Sequence, residues 1–586
     1  MLEVDDLHSI SPSRYLEVSR GTLHDLSYQQ ARNHNRAVRG VYLAVAGYMF
    51  TAGDVAAGAV ITHLDGVETP DLDAFRRELE SKGQGQRIRV RHNYVNDPRR
   101  TYESVVENDR RWFEMRTCGR TDDGSWPCEQ AEPPPEWKSP PAGPLLRTGT
   151  GDRVADKIAP ALVLVEFDIP HPTAGVKDLN YAGAGVVVDV ERGLVLVDRD
   201  TVPVSLGDLT ITFAGAVRLP GRLEYLHPQH NFAVLRYDTA ALGDLEVSAI
   251  EWTDQRLEKG DRLTMVGIDR EQRVVTRSTE VAAIESLTIG MSGTPRFRDV
   301  NIQGIDISEA APSLGGVLVD RKGRAYAMWA SFLDQQEGDR AFYGLPWSFV
   351  QPTVAALMRD ERPTYRTLGA ELLPLPLSKA RDLGLSDPRI LRRLDLGEEG
   401  RYLLQVAKTF GGTHAAAVLR DTDLLLEIDG EILTNMEQVE QAQRRDSIIA
   451  TVLRDGKEKT LEVLTSPLDG HGVDEVVSWA GLLAHRPHVD VRMQQGIDPE
   501  GVYIAWLWYG TPGERYGVRP TRRIVQVNDQ PTPDFDTFLD VVRGMEDRQA
   551  VRITEEGLDG TIHVTTLKLD LHYWPTEILR IEDGDW

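Results

Sequence analysis

The stretch ITHLDGVETPDLDAF, residues 61–75, recurs in related form as LLEIDGEILTNMEQV at 425–439 and as VQVNDQPTPDFDTF at 525–538. Each copy begins with an apolar strand pattern, turns at an Asp-Gly or Asn-Asp pair and then opens a helix. The outer copies contain Thr-Pro-Asp, which supplies a helix cap and a helix-start proline. A β-rich segment follows every copy. We therefore predict three homologous modules of about a hundred residues each.

Residues 157–358 lack this repeat. They contain many short apolar segments instead, among them ALVLVEF, GLVLVD and RLTMVGI, which are separated by turn residues. This pattern favours an all-β sandwich or barrel over a sheet built from alternating strands and helices.

Length and charge narrow the function classes. A chain of 586 residues is too long for one core, and its 41% hydrophobic and 27% charged residues are typical of folded globular proteins. The formal net charge of -25 repels a phosphate backbone, so we interpret the pairs Arg99–Arg100 and Arg522–Arg523 as solvated faces and predict no nucleic-acid partner.

Targeting signals are not apparent in the sequence. No apolar run is long enough to cross a bilayer, and the start, MLEVDDLHSI, lacks the basic and apolar regions of a signal peptide. The compartment is unknown from sequence: the chain reads as soluble and cytoplasmic as it stands, or as extracytoplasmic if an upstream half carries the signal.

The two cysteines, Cys118 and Cys128, flank the turn-like stretch GRTDDGSWP. This spacing suits a disulfide that closes a hairpin and implies an oxidising compartment, and it equally suits two unpaired surface thiols. Two cysteines without clustered histidines do not make a metal site, so we predict neither a metal nor a cofactor.

The repeats resemble PDZ domains of the HtrA/Deg-type serine protease family. Such a module binds an extended peptide as an added strand, and a loop with a central glycine holds the terminal carboxylate. In the first module the matching stretch, residues 15–18, has Glu17 in place of the glycine, so we do not expect it to bind carboxyl termini. The resemblance implies these peptide-binding residues in the second and third modules: Thr367, Leu368, Gly369 and Ala370, and Trp479, Ala480, Gly481 and Leu482.

The middle segment resembles the trypsin-like domain of the same family. The family reads GNSGGPLV around its nucleophile, whereas residues 312–319 read PSLGGVLV, which places Leu314 at the nucleophile. The same alignment places Asp200 at the histidine base and Asn231 at the orienting aspartate. Serine catalysis needs a hydroxyl, an imidazole and a carboxylate. The resemblance therefore implies a pseudoprotease.

Neighbouring residues offer one route to a cryptic active site. Ser313 lies beside Leu314 and is the outside candidate for a nucleophile. His227 and His230 lie just before Asn231, in the stretch HPQHN, which we interpret as a surface turn rather than as the source of a base.

The order of these segments resembles the carboxyl-terminal half of the double-length fungal nuclear and plant Deg-like proteases. The predicted fold is mostly β with some α: a trypsin-like double β-barrel flanked by three PDZ-like α/β modules. The predicted domains are a first PDZ-like module (1–115), a hairpin and Pro-rich linker (116–150), a degenerate trypsin-like domain (151–360), a second PDZ-like module (361–467) and a third (468–586).

The resemblance implies a non-catalytic PDZ scaffold in protein quality control, which binds peptide segments or carboxyl termini of client proteins and assists an active protease half. The alternative is an active serine endopeptidase, either through a cryptic site or in complex with an HtrA partner. A second alternative is a holdase chaperone. The expected partners are client peptides, an active HtrA-type protease and another copy of the chain, with no membrane span.

Overall fold

The computed structural model describes residues 10–137, 149–333, 340–397, 399–498, 500–582 and 586. The chain divides into two compact units, Met1–Pro141 and Ala142–Trp586. Part of the expected linker, residues 138–148, lies outside the described residues, as do residues 1–9, on which the expectation about a signal peptide rests.

The first unit is one mixed α/β module. Its strands run in the order β7-β6-β4-β3-β2-β1-β8-β9, with β5 beside β4. The elements are β1 (Arg14–Val18), β2 (Gly21–Asp25), α1 (Tyr28–Asn33), β3 (Val41–Val45), α2 (Gly47–Ala52), β4 (Ala59–Leu64), β5 (Val67–Glu68), α3 (Leu72–Glu80), β6 (Arg87–Tyr94), β7 (Asp97–Glu107), β8 (Arg116–Gly119) and β9 (Cys128–Gln130).

Helix α3 forms where the repeat predicts a helix start. The Asp71 carboxylate accepts the backbone N–H of Ala74 at 2.8 Å and so satisfies one of the free amides of the first turn. Leu72, Phe75 and Leu79 are buried at helical spacing against the sheet. The strand, turn and helix of the first repeat copy are therefore as predicted.

Strands β8 and β9 form the hairpin expected around the cysteines. Cys118 and Cys128 face each other in register and are joined by a disulfide. Of the two alternatives that the sequence left open, the structure contains the disulfide.

The second unit begins with two barrels. Helix α4 (Arg153–Ile158) precedes the first barrel, which closes in the order β10-β11-β12-β15-β14-β13. Its strands are β10 (Leu162–Asp168), β11 (Asn180–Asp189), β12 (Leu194–Val197), β13 (Asp208–Phe213), β14 (Val217–Leu226) and β15 (Ala233–Tyr237).

The second barrel runs β21-β20-β17-β18-β19-β22 and closes because β22 also pairs with β21, while β16 lies parallel to β21. Its elements are β16 (Glu251–Trp252), β17 (Arg262–Ile268), β18 (Val274–Ser286), β19 (Gln303–Ile307), β20 (Gly316–Val319), β21 (Arg324–Leu333), β22 (Arg340–Pro346) and helix α5 (Trp347–Leu357). One core joins the barrels, since Phe232 and Val234 of the first pack with Met328 and Phe332 of the second.

The second module has a five-strand sheet, β24-β25-β26-β28-β29, with β27 beside β26 and with β23 paired separately to β30. Its elements are β23 (Tyr365–Thr367), β24 (Ala370–Pro376), α6 (Leu377–Asp382), α7 (Asp387–Leu394), β25 (Tyr402–Thr409), α8 (His414–Val418), β26 (Leu424–Ile428), β27 (Glu431–Ile432), α9 (Met436–Ala442), β28 (Ser447–Arg454), β29 (Lys457–Leu464) and β30 (Ser466–Leu468).

The third module has the order β37-β36-β34-β33-β32-β31-β38, with β35 beside β34. Its elements are β31 (Glu475–Trp479), β32 (Leu482–His485), α10 (Val489–Gln495), β33 (Val502–Leu507), α11 (Pro512–Arg515), β34 (Arg523–Val527), β35 (Gln530–Pro531), α12 (Phe535–Val542), β36 (Ala550–Glu556), β37 (Ile562–Lys568) and β38 (Glu577–Arg580).

The predicted fold class is confirmed: the chain is mostly β, with two closed barrels and mixed α/β modules. The expected domain boundaries stay predictions. Within the described ranges, no helix has both the length and the apolar character needed to span a membrane.

Candidate functional site

The three predicted triad positions each lie at a contact between the two barrels. Asp200 follows β12, Asn231 precedes β15 and Leu314 precedes β20. Asp200 and Asn231 both bond to Ser331 of β21, in the opposite barrel. The carbonyl of Leu314 accepts the N–H of Ala184 from the first barrel at 3.3 Å. Each of the three positions thus lies at a contact between the barrels, in the region that we call the barrel cleft, and their triad roles stay predictions.

Hydrogen bonds fix the polar side chains of this cleft. The Asn231 side chain accepts the N–H of Arg199 at 2.8 Å and donates to the carbonyl of Ser331 at 2.6 Å. Asp198 accepts the N–H of Ser331 at 3.0 Å, and the Ser331 hydroxyl donates to Asp200 at 2.9 Å. Carboxylates and an amide thus tie one barrel to the other where a protease needs an imidazole that is free to move a proton.

The loop before β20 lacks the amides of an oxyanion hole. Serine proteases stabilise the tetrahedral intermediate with the N–H groups of the nucleophile and of the residue two positions before it. Here the N–H of Leu314 donates to the carbonyl of Ile268 at 2.7 Å, and the earlier position is Pro312, which has no N–H.

Ser313 has no base in reach. Its hydroxyl oxygen is shielded from solvent and has no hydrogen-bond partner within the part of the chain that the structure describes. The hydroxyl therefore has no group here to take its proton, which a nucleophilic serine requires.

His227 and His230 belong to a different cluster. They are buried and stacked, with ring centroids 4.8 Å apart, so the expectation of a surface turn is wrong: the second module covers them. Burial lowers the pKa of His227 well below its ordinary value. Burial also opposes protonation of His230, but hydrogen bonds to Asp299 and Glu440 outweigh it and raise its pKa to about 9.

The predicted peptide loop of the second module is buried, and its amides are already bonded. The N–H of Leu368 donates to the Gln443 side chain at 2.9 Å, and the N–H of Gly369 donates to the Thr367 hydroxyl at 3.2 Å. The Thr367 hydroxyl in turn donates to Gln229, from the loop before β15, at 2.8 Å.

The strand after this loop is contacted by the barrel. The Asn301 side chain donates to the carbonyl of Ala370 and accepts the N–H of Leu372, both at 2.8 Å. Arg298 forms a two-pronged ion pair with Glu371, at 2.8 and 2.6 Å. The structure therefore adds residues to this site that the sequence reading did not single out.

The predicted loop of the third module is a tight turn inside a hairpin. Ala480 and Gly481 have φ of +52° and +75°, and Trp479 and Leu482 pair across the turn between β31 and β32. The outer edge of β32, which corresponds to the edge of β24 that Asn301 contacts, is thus covered by β31.

The first module has the same hairpin. Ser19 and Arg20 have φ of +50° and +58°, and β1 pairs with β2. Glu17, expected at the glycine position of a peptide-binding loop, lies in strand β1 and forms an ion pair with Arg116 of β8. Within the described residues, no group of three or more histidine, cysteine or acidic side chains is arranged to hold a metal ion.

Comparisons with known proteins identify relatives along nearly the whole chain. A family model described as a PDZ-like domain matches residues 9–81. A relative from Yarrowia lipolytica, named Pro-apoptotic serine protease NMA111, is 30% identical over 100% of this chain and 61% of its own length. One of the same name from Chaetomium globosum is 31% identical over 98% of this chain and 57% of its own length. The chain thus spans about three fifths of these curated relatives.

Solved structures give more distant likenesses. HtrA-type protease AlgW with a tripeptide is 18% identical with a TM-score of 0.38, covering 54% of this chain and 96% of that one. The serine endoprotease from Yersinia pestis is 17% identical with a TM-score of 0.34, covering 55% of this chain and 100% of that one. Likenesses this distant say nothing about activity.

The relatives' names contradict the prediction of a non-catalytic scaffold in quality control. Proteins that match 98% to 100% of this chain are named serine proteases, which favours the endopeptidase alternative. The scaffold prediction treated three lost side chains as the loss of the whole function. A protease whose length exceeds this chain has room for catalytic groups in the part that the alignment leaves uncovered.

The sequence analysis did not single out Pro312, Asn301 or Arg298, which lie in the candidate site. Pro312 was visible, because a proline two positions before the nucleophile position removes a needed amide. Asn301 and Arg298 gave no local signal, since their partners lie about seventy residues further along the chain.

Proposed function

The chain belongs to the HtrA-type serine protease family, and on that basis we propose that it works as part of an active serine endopeptidase, in complex with an HtrA-type partner that supplies the catalytic triad. The observation that supports an endopeptidase function most directly is the similarity of 100% of this chain to a relative from Yarrowia lipolytica that is named as a serine protease.

The described cleft supports the assignment of the triad to a partner. Leu314 has no hydroxyl, Asp200 occupies the base position, and Asn231 occupies the position of the orienting carboxylate. Attack on a peptide carbonyl needs all three groups together with two oxyanion donors. We therefore assign no nucleophile, base or oxyanion donor to this cleft and treat it as a pseudoprotease domain within the larger enzyme.

The part that we assign to this chain is capture of the polypeptide that the partner cleaves. Of the two predicted loops, the one from Thr367 to Ala370 suits this better, because in the described part of the chain β24 has a strand beside it on one edge only. An extended peptide adds to such an edge through main-chain hydrogen bonds. The loop from Trp479 to Leu482 lies inside a hairpin and offers no such edge.

The experiment measures β-casein cleavage by the part of the Yarrowia lipolytica relative that lies outside the alignment, with and without this chain. We expect this chain alone to cleave nothing and to leave a fluorophosphonate probe unreacted, and we expect the mixture to cleave faster than the partner alone. A chain with Ser313→Ala is the control and should stimulate equally, because its hydroxyl has no role in the proposal.

Two outcomes would overturn the proposal. Labelling of the isolated chain by the probe, lost in Ser313→Ala, would place a working nucleophile in this chain. A mixture that cleaves β-casein no faster than the partner alone would contradict the proposed complex.

A further inference from the structure

Apolar residues of strand β24 and helix α9 in the second module share one core. Strand β24 pairs with β25 along one edge, and no strand pairs with the other edge among the described residues. We call this second edge of β24, together with the loop before it and the neighbouring part of α9, the module-2 groove. The barrels fill it with two segments, residues 227–231 and 298–301.

Asn301 bonds to β24 as a strand residue would. A side-chain carboxamide carries a carbonyl acceptor and N–H donors, as the main chain does. Asn301 uses one of each, on the carbonyl of Ala370 and the N–H of Leu372, both at 2.8 Å. These two groups point outward on either side of Glu371, where an added strand would bond. The edge is therefore satisfied by a mimic of a peptide.

The residues before Asn301 extend the contact. Arg298 pairs with Glu371 through both guanidinium nitrogens, and its side chain is only 3% exposed. Val300 packs against Phe410, which follows β25. Arg298, Val300 and Asn301 thus each contact the second module, and all are buried. A buried fork-shaped ion pair is specific for arginine, because lysine cannot reproduce its two parallel bonds.

The other segment closes the end of the groove near the loop. Gln229 accepts the hydroxyl hydrogen of Thr367 at 2.8 Å, and His230 lies 3.1 Å from Glu440 of α9. Asp299 bonds both the His230 ring and the N–H of Asn231, so the two segments hold each other in place.

We propose that the module-2 groove recognises a peptide segment that carries an arginine followed three positions later by an asparagine, and that Arg298–Asn301 is a copy of such a ligand held in cis. The arginine is read by Glu371 and the asparagine by the main chain of β24. This rests on the proposed role of the groove in peptide capture and names the class of peptide captured. A client peptide binds by replacing the cis segment.

The test uses a variant that loosens the cis segment without straining it. Asn301 has φ of +55°, a conformation that glycine adopts freely, so Asn301→Gly removes both bonds to β24 and keeps the backbone path. Asn35→Gly is the matched control, because Asn35 is an exposed asparagine with φ of +48° in the first unit. Hydrogen exchange of the Leu372 amide reports whether the edge has opened.

The probe is a fluorescein-labelled peptide RFRDVNIQG, which copies residues 296–304. In a second peptide, the arginine that copies Arg298 and the asparagine that copies Asn301 are both replaced by alanine. We expect the first peptide to bind Asn301→Gly about tenfold more tightly than the unchanged chain or Asn35→Gly, and the second peptide to bind neither. Glu371→Gln, which weakens the ion pair, should lower binding of the first peptide to Asn301→Gly.

The proposal is overturned if Asn301→Gly shows faster exchange at Leu372 and yet binds neither peptide, or binds both equally. Should that variant fail to fold, Arg298→Lys loosens the same segment more gently, and the same two peptides decide the matter. The β-casein assay separates this inference from the proposed function. If the chain stimulates the partner but shows no selective peptide binding, only the proposed recognition pattern is wrong. If the chain binds the first peptide selectively but does not stimulate the partner, only the proposed function is wrong.

Discussion

The second and third modules start from similar repeat sequences and present different sheet edges. In the third module, Ala480 and Gly481 both have positive φ, so the chain reverses within two residues and β31 covers the edge of β32. In the second, Gly369 alone has positive φ among the loop residues, at +81°, and β23 leaves to pair with β30. One residue's backbone conformation thus decides whether an edge is closed by its own hairpin or by a distant segment.

The largest difference between the modules should appear on removal of an acidic partner. Glu371→Ala leaves Arg298 buried without its counter-charge and is expected to lower the free energy of unfolding by about 3–5 kcal/mol. Asp536→Ala in the third module removes an exposed partner of Arg486 and should change the free energy of unfolding little. Urea unfolding of both variants makes the comparison. Equal losses would show that the Arg298 contact is no more than a surface ion pair.

Alkaline pH should destabilise the contacts of the second module, whereas acid pH should destabilise those of the third. The pKa of His230 is raised to about 9 in the folded chain, so its stabilising effect is complete below its unfolded pKa of about 6.5 and is lost as the pH rises to 9. It faces Asp299, Glu440, the Tyr365 hydroxyl and His227. We expect an alkaline loss of roughly 3 kcal/mol, which His230→Gln abolishes.

The third module should weaken in acid instead. Burial lowers the pKa of His485 to about 4, and its Nε2 accepts the N–H of Ala174, which a protonated ring cannot do. Its contribution is therefore complete above pH 6.5 and is lost as the pH falls towards 4. Stability measured across this range, with and without His485→Gln, tests it. An unaltered acid limb in that variant would assign the loss to other groups.

A smaller contrast is expected from the two loop glycines. A methyl group on Gly481 would lie 2.1 Å from Cβ of Thr511, whereas one on Gly369 would lie 2.8 Å from the Thr413 hydroxyl. Both glycines have positive φ, so each alanine variant carries backbone strain of about 1–2 kcal/mol. Gly481→Ala should lose about 1–2 kcal/mol more than Gly369→Ala. Thermal unfolding ranks them, and the reverse order would contradict the tighter packing of the third loop.

The smallest effect concerns amide hydrogen exchange at the outer edges of β24 and β32. One side chain protects the N–H of Leu372, whereas the ladder between β31 and β32 protects the outward amides of β32. We expect Leu372 to exchange about tenfold faster than those amides, because a single side-chain bond opens more easily than a ladder. Equal exchange rates would mean that the contact between Asn301 and β24 opens as rarely as the pairing of β31 with β32.

Much of the fold could be predicted from local sequence. The Asp71 cap, the turn pairs and the apolar alternation each act within a few residues, so the repeat located its strands and helices. The all-β character of residues 157–358 followed from their short apolar segments, whereas the triad roles of Asp200, Asn231 and Leu314 stay predictions.

The contents of the module-2 groove could not be predicted in this way. The bonds from Asn301 and His230 depend on residues that are distant in sequence and meet only after both barrels and the second module have folded. The positive φ of Ala480 was equally hidden, because alanine rarely adopts it and nothing nearby in the sequence requires it.

Pro312 leaves the barrel cleft without one of the two amides of an oxyanion hole. Restoring serine, histidine and aspartate at positions 314, 200 and 231 would rebuild the three side chains, but the ring nitrogen of Pro312 would still have no hydrogen to offer a tetrahedral oxyanion. An active cleft would also need a residue other than proline at position 312. In addition, the N–H of Leu314 would have to be released from its hydrogen bond to the carbonyl of Ile268. Three side-chain substitutions alone would therefore not give this cleft a complete oxyanion hole.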